Sequence, residues 1–148
     1  TANLCANHIG QYIFGALENE SVTEIKKWYS KQNSYYKNLF KTMRDSLNKE
    51  LPGVIISKPE ASIYCIIDFK NIGNENFDSE EFVNFCAENG SVKVDQELFT
   101  VLLAPMKGFY KKSYIGKTQV RLALVESADL LNIAPKVIAI LFKTFSKL

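Results

Sequence analysis

The 148-residue chain has the length of one ordinary domain, and its 47% of hydrophobic residues can fill a core for it. Ten Phe, seven Tyr and a charged fraction of 23% exclude a disordered polymer. A formal charge of +2, from 18 basic and 16 acidic residues, argues against a nucleic-acid surface, and no apolar run approaches the roughly 18 residues of a membrane span.

Residues 1–20 read as a leader with Ile9, Tyr12, Ile13, Ala16 and Leu17 at helical spacing. This leader has no basic start followed by a long apolar run, so no secretory signal is read in it. Thr1 in place of Met raises the expectation of a processed or truncated chain. Ser21-Val22-Thr23-Glu24 reads as a capping box. After it Ile25, Trp28, Gln32, Tyr35, Leu39, Met43 and Leu47 recur at steps of three and four, flanked by Tyr29, Tyr36 and Phe40. The spacing predicts one helix of about 28 residues, roughly 40 Å long at 1.5 Å per residue, ended by Pro52-Gly53. Its periodic aromatics read as core or interface rather than as a base-stacking platform.

The middle of the chain is strand-like. Val54–Ser57 is short and apolar, and Ser62–Phe69 is apolar at both parities, as a strand buried on both sides would be. Asn71–Asn76 predicts a turn. Asp78 and Glu81 predict a second capping box, opening a helix through Phe82, Phe85 and Cys86 that Asn89-Gly90 closes. Strands are expected at 91–94, 99–103 and 119–125, with a loop holding Pro105, Gly108 and Gly116 before the last. Ile133, Val137, Ile140, Leu141, Phe145 and Leu148 mark the apolar face of a final helix. Pro135 suggests a short turn at 128–133 and a main helix at 134–147. The order predicts an α+β fold: a mostly antiparallel small sheet packed with helices and preceded by one long helix.

Few residues carry obvious chemistry. Cys5, Cys65 and Cys86 are an odd count without metal or disulfide spacing, which fits a reducing cytoplasm, packing as small apolar groups and no metal site. His8 has no nearby partner and reads as a surface or boundary residue. Lys107, Lys111, Lys112 and Lys117, with Tyr110 and Tyr114, make a basic, aromatic loop. Only Arg44 and Arg121 are arginines, so each merits attention: the guanidinium fork suits carboxylates and phosphates in a way that lysine does not.

Four segments in order, Pro59-Glu-Ala-Ser-Ile-Tyr64, Glu88-Asn-Gly-Ser-Val92, Ala104-Pro-Met-Lys-Gly-Phe-Tyr110 and Gln119-Val-Arg-Leu-Ala123, resemble the C-terminal part of fold-type-I, pyridoxal-phosphate-dependent aminotransferases. The resemblance runs from about residue 10 to the end and is strongest to an aspartate-aminotransferase-like bacterial subgroup. It implies that residues 21–148 are the small domain of such an enzyme and residues 1–20 a leader belonging to its large domain. It also implies that Arg121 matches the arginine receiving the substrate α-carboxylate; the alternative reading is a strand-edge arginine paired with an acidic neighbour. The family's Schiff-base lysine, its acid for the pyridine nitrogen and its main phosphate ligands belong to the large domain. Lys26, Lys27 and Lys31 do not match that lysine. The chain alone is therefore expected to bind no pyridoxal phosphate, to contain no catalytic residue and to be inactive. The family's Pro-Gly-x-x-Phe loop is altered here by Met106-Lys107.

The partners so implied are an amino acid such as aspartate, a 2-oxo acid, the chain's own large domain and a homodimer partner, without nucleic acid, membrane or metal. Ile9, Tyr12, Ile13, Phe14 and Leu17 are more apolar surface than so short a leader buries by itself, so residues 9–17 and the first turns of the long helix are expected to lie against that large domain or a partner subunit. A stand-alone α+β module whose Arg121 recognises a carboxylate remains the alternative, and a nucleic-acid binder using the basic loop is the third, disfavoured by charge.

Overall fold

The computed structural model describes residues 7–147. Cys5, Leu148 and the first residues of the leader lie outside the described residues. The described residues form two compact units that divide within a long helix, one up to Tyr35 and the other from Tyr36.

The first unit contains helix α1 (His8–Gly15), a 3-10 turn at Ala16–Asn19 and the first turns of helix α2 (Val22–Glu50). Asn7 caps α1, its Oδ1 accepting from the amides of Ile9 at 2.9 Å and Gly10 at 3.2 Å. Ser21 caps α2, its Oγ accepting from the Glu24 amide at 3.1 Å. Ile9, Tyr12, Ile13, Phe14 and Leu17 are all exposed, as are Trp28, Tyr29 and Tyr35. His8 is exposed too.

The second unit holds the core. Leu39, Phe40, Met43 and Leu47 of α2 pack into it, with Met43 and Leu47 fully buried, so the apolar stripe read from the sequence buries its C-terminal part. The main sheet has the order β1-β2-β6-β5, all antiparallel, from β1 (Ile55–Ile56), β2 (Tyr64–Asp68), β5 (Ala104–Pro105) and β6 (Gln119–Ala123). Pro105, which cannot donate to a ladder, sits on the edge strand β5. A separate hairpin pairs β3 (Val92–Val94) with β4 (Glu97–Phe99) across a two-residue turn, where Asp95 takes φ 56°.

One face of the sheet is covered. Cys65, Ile67 and Phe69 alternate inward with Val120, Leu122 and Leu124, and meet helices α3 (Ser79–Glu88) and α4 (Ala128–Phe145). Phe69 is the hub: its ring lies 4.8 Å from Phe142, nearly parallel, 5.3 Å from Phe77 and 5.4 Å from Phe82.

The structure corrects several sequence expectations. The strand at 62–69 is not buried on both sides, because Tyr64 is exposed and Ile66 and Asp68 are half-buried. The strand expected at 99–103 is displaced: β4 ends at Phe99, and the chain is unpaired until β5. The final helix is continuous through Pro135, which lies fully buried inside it. A proline there forfeits one helical hydrogen bond, but Leu131 before it and Val137 and Ile138 after it are all core residues, and their burial holds the two parts as one rod. Ile140, expected on the apolar face, is 36% exposed, and Ile138, Ala139 and Phe142 take its place inside.

Phe69→Ala should lower unfolding free energy by about 3–5 kcal/mol in urea titration, because it empties the centre of a packed aromatic cluster. A loss under about 1 kcal/mol would show that Phe77, Phe82 and Phe142 collapse into the space.

Candidate functional site

The open face of the sheet carries the polar chemistry. Because side chains alternate along a strand, Gln119, Arg121 and Ala123 of β6 point away from the core, beside Tyr64, Ile66 and Asp68 of β2. Arg121 stands opposite Ile66 on β2 and Ala104 on β5, so it sits on an inner strand, held on both sides by backbone ladders. Tyr64 is its diagonal neighbour, within reach of a long side chain, and faces Ala123, which offers only a methyl group.

The guanidinium carbon of Arg121 lies 4.4 Å from the Tyr64 ring centre and 4.7 Å from that of Phe109. Contacts of this kind contribute about 0.5–1 kcal/mol each at exposed sites. Among the described residues Arg121 forms no ion pair. The alternative of a strand-edge arginine paired with an acid therefore does not describe it. Further along this face Tyr110 donates to Gln119 Oε1 at 2.7 Å, and Gln119 Nε2 donates to Asp68 Oδ2 at 2.9 Å. Thr118 Oγ1 and the Lys70 amide donate to Asp68 Oδ1 at 2.7 and 2.9 Å.

Phe109 and Tyr110 belong to the 105–117 loop, which is latched to the start of α3. Asp78 caps that helix, its Oδ1 accepting from the Glu80 amide at 2.9 Å, and its other oxygen pairs with Lys107, which also lies 3.6 Å from Glu80. Burial pushes the Asp78 carboxyl up, but the Lys107 hydrogen bond and charge and the amides of Glu80 and Glu81 outweigh it and hold the group below the usual carboxylate value. The hydrogen bond to Asp78 raises the Lys107 ammonium above its usual value, against the opposing effect of desolvation. Buried Ser79 adds Oγ–H to the Gly116 carbonyl at 3.2 Å and its amide to the Lys117 carbonyl at 2.8 Å. Met106 is buried, and a Cβ on Gly116 would stand 2.5 Å from the Met106 carbonyl, so only glycine lets the two arms of the loop meet. Met106-Lys107 is thus an anchor within the loop.

The other candidates separate. Lys112 lies over the Tyr114 ring at 5.9 Å, Lys117 Nζ reaches the Glu75 carbonyl at 3.5 Å, and Lys107 pairs with Asp78 and Glu80. Cys65 and Cys86 are buried, and burial pushes their thiols up to about 11 and about 12, which makes them packing groups rather than nucleophiles. No metal-binding cluster occurs among the described residues, and none of their helices is long and apolar enough to cross a membrane. A groove of about 520 Å³ beside the end of β6 is lined by apolar residues including Leu102, Leu122, Val125 and Val137, without Arg121. Its polar lining is Thr100 and the carboxylate of Glu126, with no cationic group to receive an anion, whereas the open sheet face presents Arg121. The aromatic partners of Arg121 were not assigned from the sequence. Tyr64 was within reach as a diagonal neighbour once the strands were paired, but nothing local signals Phe109.

Comparison with protein-family models and with curated proteins returns no match. Solved structures do match. An archaeal alanine:glyoxylate aminotransferase is 26% identical with a TM-score of 0.57, over 74% of this chain and 24% of its own. Kynurenine aminotransferase of Pyrococcus horikoshii is 19% identical with a TM-score of 0.64, over 82% and 27%. The α-aminoadipate aminotransferase of Thermus thermophilus is 12% identical with a TM-score of 0.65, over 89% and 30%. The fold is that of one part of an aminotransferase. The chain spans about a quarter of the length of these structures, and the resemblance read from its four motifs holds in three dimensions.

The Asp78–Lys107 pair has a pH signature. The lowered Asp78 value means that its contribution to stability is present above about pH 4 and is lost as pH falls through the folded-state value. The raised Lys107 value means that its contribution is present below about pH 10.4 and is lost as pH rises through the folded-state value. The stability difference between wild type and Lys107→Met, from urea unfolding, should be largest between these limits and shrink on both sides. A difference that is flat with pH would show that Lys107 acts through packing alone.

Proposed function

We propose that this chain is the C-terminal small domain of a pyridoxal-phosphate-dependent, fold-type-I aminotransferase, and that Arg121 receives the α-carboxylate of the amino acid and of the 2-oxo acid. The observation carrying this reading is the state of Arg121: on an inner strand, half exposed, packed on two rings and without an acidic partner among the described residues. A guanidinium so placed offers a bidentate, charge-assisted fork at any working pH. Mounted on a paired strand, it orients a bound substrate with little freedom to swing.

In that family the cofactor carries the amino group between the two substrates. Among the described residues, Lys26, Lys27, Lys31 and Lys107 do not fit as the lysine that holds the cofactor. Lys26, Lys27 and Lys31 are exposed on α2, and Lys107 is held as an ammonium by Asp78, whereas a Schiff-base lysine needs a free amine. Following the resemblance, the lysine, the acid for the pyridine nitrogen and the phosphate ligands are assigned to a large domain, and the chain alone to no transaminase activity. The exposed apolar residues of α1 and its following turn are read as surface that this domain or a homodimer partner covers. A cytoplasmic enzyme with aspartate among its amino donors is the form of the proposal closest to the sequence motifs.

In the full-length enzyme, Arg121→Ala should lower kcat/KM for the amino acid by roughly 100-fold or more, about 3 kcal/mol, while cofactor absorbance hardly changes. Turnover within a few-fold of wild type would remove Arg121 from the site. The 148-residue chain titrated with pyridoxal phosphate should give no absorbance band that borohydride fixes at one lysine; a single reduced adduct would overturn the assignment of the cofactor to the large domain.

A further inference from the structure

We propose that Tyr64 and Phe109 are positioning residues that hold the Arg121 guanidinium ready for a carboxylate, an inference that rests on the reading of Arg121 given above. An arginine has five N–H donors and no acceptor, and one standing on a sheet face ordinarily spends them on a neighbouring acid. Here the carboxylate on the same face of β2, Asp68, is already satisfied by Thr118, Gln119 and the Lys70 amide, and no ion pair to Arg121 occurs among the described residues. The two nearby groups are instead aromatic, 4.4 and 4.7 Å from the guanidinium carbon. A ring attracts the cation through its quadrupole but competes weakly for N–H donors beside a carboxylate oxygen. The charge is therefore held in place without being neutralised.

The two rings come from independently fixed elements. Tyr64 rises from β2, paired along its whole length with β6. Phe109 rises from the loop pinned by Lys107 to Asp78, by buried Met106 and by the close approach of Gly116. Arg121 so inherits the rigidity of the sheet on one hand and of the latched loop on the other. Ordering a long side chain is a cost of binding that this arrangement meets in the folding of the domain, before a ligand arrives.

The sequence makes the test direct, because Arg44 and Arg121 are the only arginines. The 148-residue chain labelled with 15N-arginine should give two Nε–Hε signals, with Arg44 as internal reference and acetate as the carboxylate probe. In the wild type the Arg121 signal should carry a ring-current shift, show the higher order parameter and move on acetate titration. Tyr64→Leu and Phe109→Leu should each lower that order, reduce the ring-current shift and weaken acetate binding roughly two- to tenfold, while Tyr64→Phe and Phe109→Tyr stay within about twofold of wild type. Both rings lie outside the core, at 38% and 56% exposure, and Phe109→Leu decides the matter alone should the Tyr64 variant not fold. Leucine variants whose Arg121 order, shift and acetate affinity match the wild type would overturn the proposal. Acetate that moves neither arginine in the wild type would instead overturn the carboxylate reading, and the contrast between leucine and aromatic variants in order and ring-current shift would still uphold or overturn the positioning role.

Discussion

The pairing of β6 between β2 and β5 is the constraint on which the rest of this domain depends. The ladder sets Ile66 against Arg121 and Cys65 against Leu122, and with a side-chain period of two this sends Val120, Leu122 and Leu124 into the core and Gln119 and Arg121 out of it. A slip of one residue would turn the guanidinium into the aromatic cluster around Phe69 and set core aliphatics in water. Hydrophobic burial thus fixes the register, and the register fixes where the charge stands. The chemistry on the open face is a consequence of the packing on the closed one.

The 105–117 loop shows how an irregular segment is given a definite shape. It has little regular structure of its own beyond two 3-10 turns, and it borrows order from α3 through the Asp78–Lys107 pair and the two bonds of Ser79. Asp78 serves the helix as cap and the loop as counter-ion, so one carboxylate ties the first turn of α3 to the arm of the loop that carries Phe109. The motif that departs from the resembled family, Met106-Lys107, is the part of the loop that does this anchoring.

Much of this was legible in the sequence. Of both capping boxes the cap side chain's half is realised, at Ser21 and Asp78, and α2 starts and ends where its stripe and Pro52-Gly53 place it, because caps and helical periodicity act over a few neighbouring residues. Arg121 could be singled out because arginine is scarce in a lysine-rich chain. What was not legible depends on distant contacts. Tyr64 and Ile66 are apolar in composition but stand on the open face, so composition alone gave β2 two buried sides. Pro135 carries a local penalty for helix, and the core contacts that overrule it come from elsewhere in the chain. The junction of Arg121 with Phe109 exists only once α3 has caught the loop, and no spacing along the chain encodes it.

The two buried thiols have a practical consequence. Cys65 is on the inner face of β2 and Cys86 on the inner side of α3, each about as hidden as any core residue, and burial keeps both protonated well above neutral pH. A thiol reagent reaches either one only when that element leaves the core, so the order and rate in which the two become alkylated in native buffer report whether the sheet and the helix open together or one ahead of the other. The domain thereby carries, without added labels, its own clock for breathing motions on either side of the hydrophobic core.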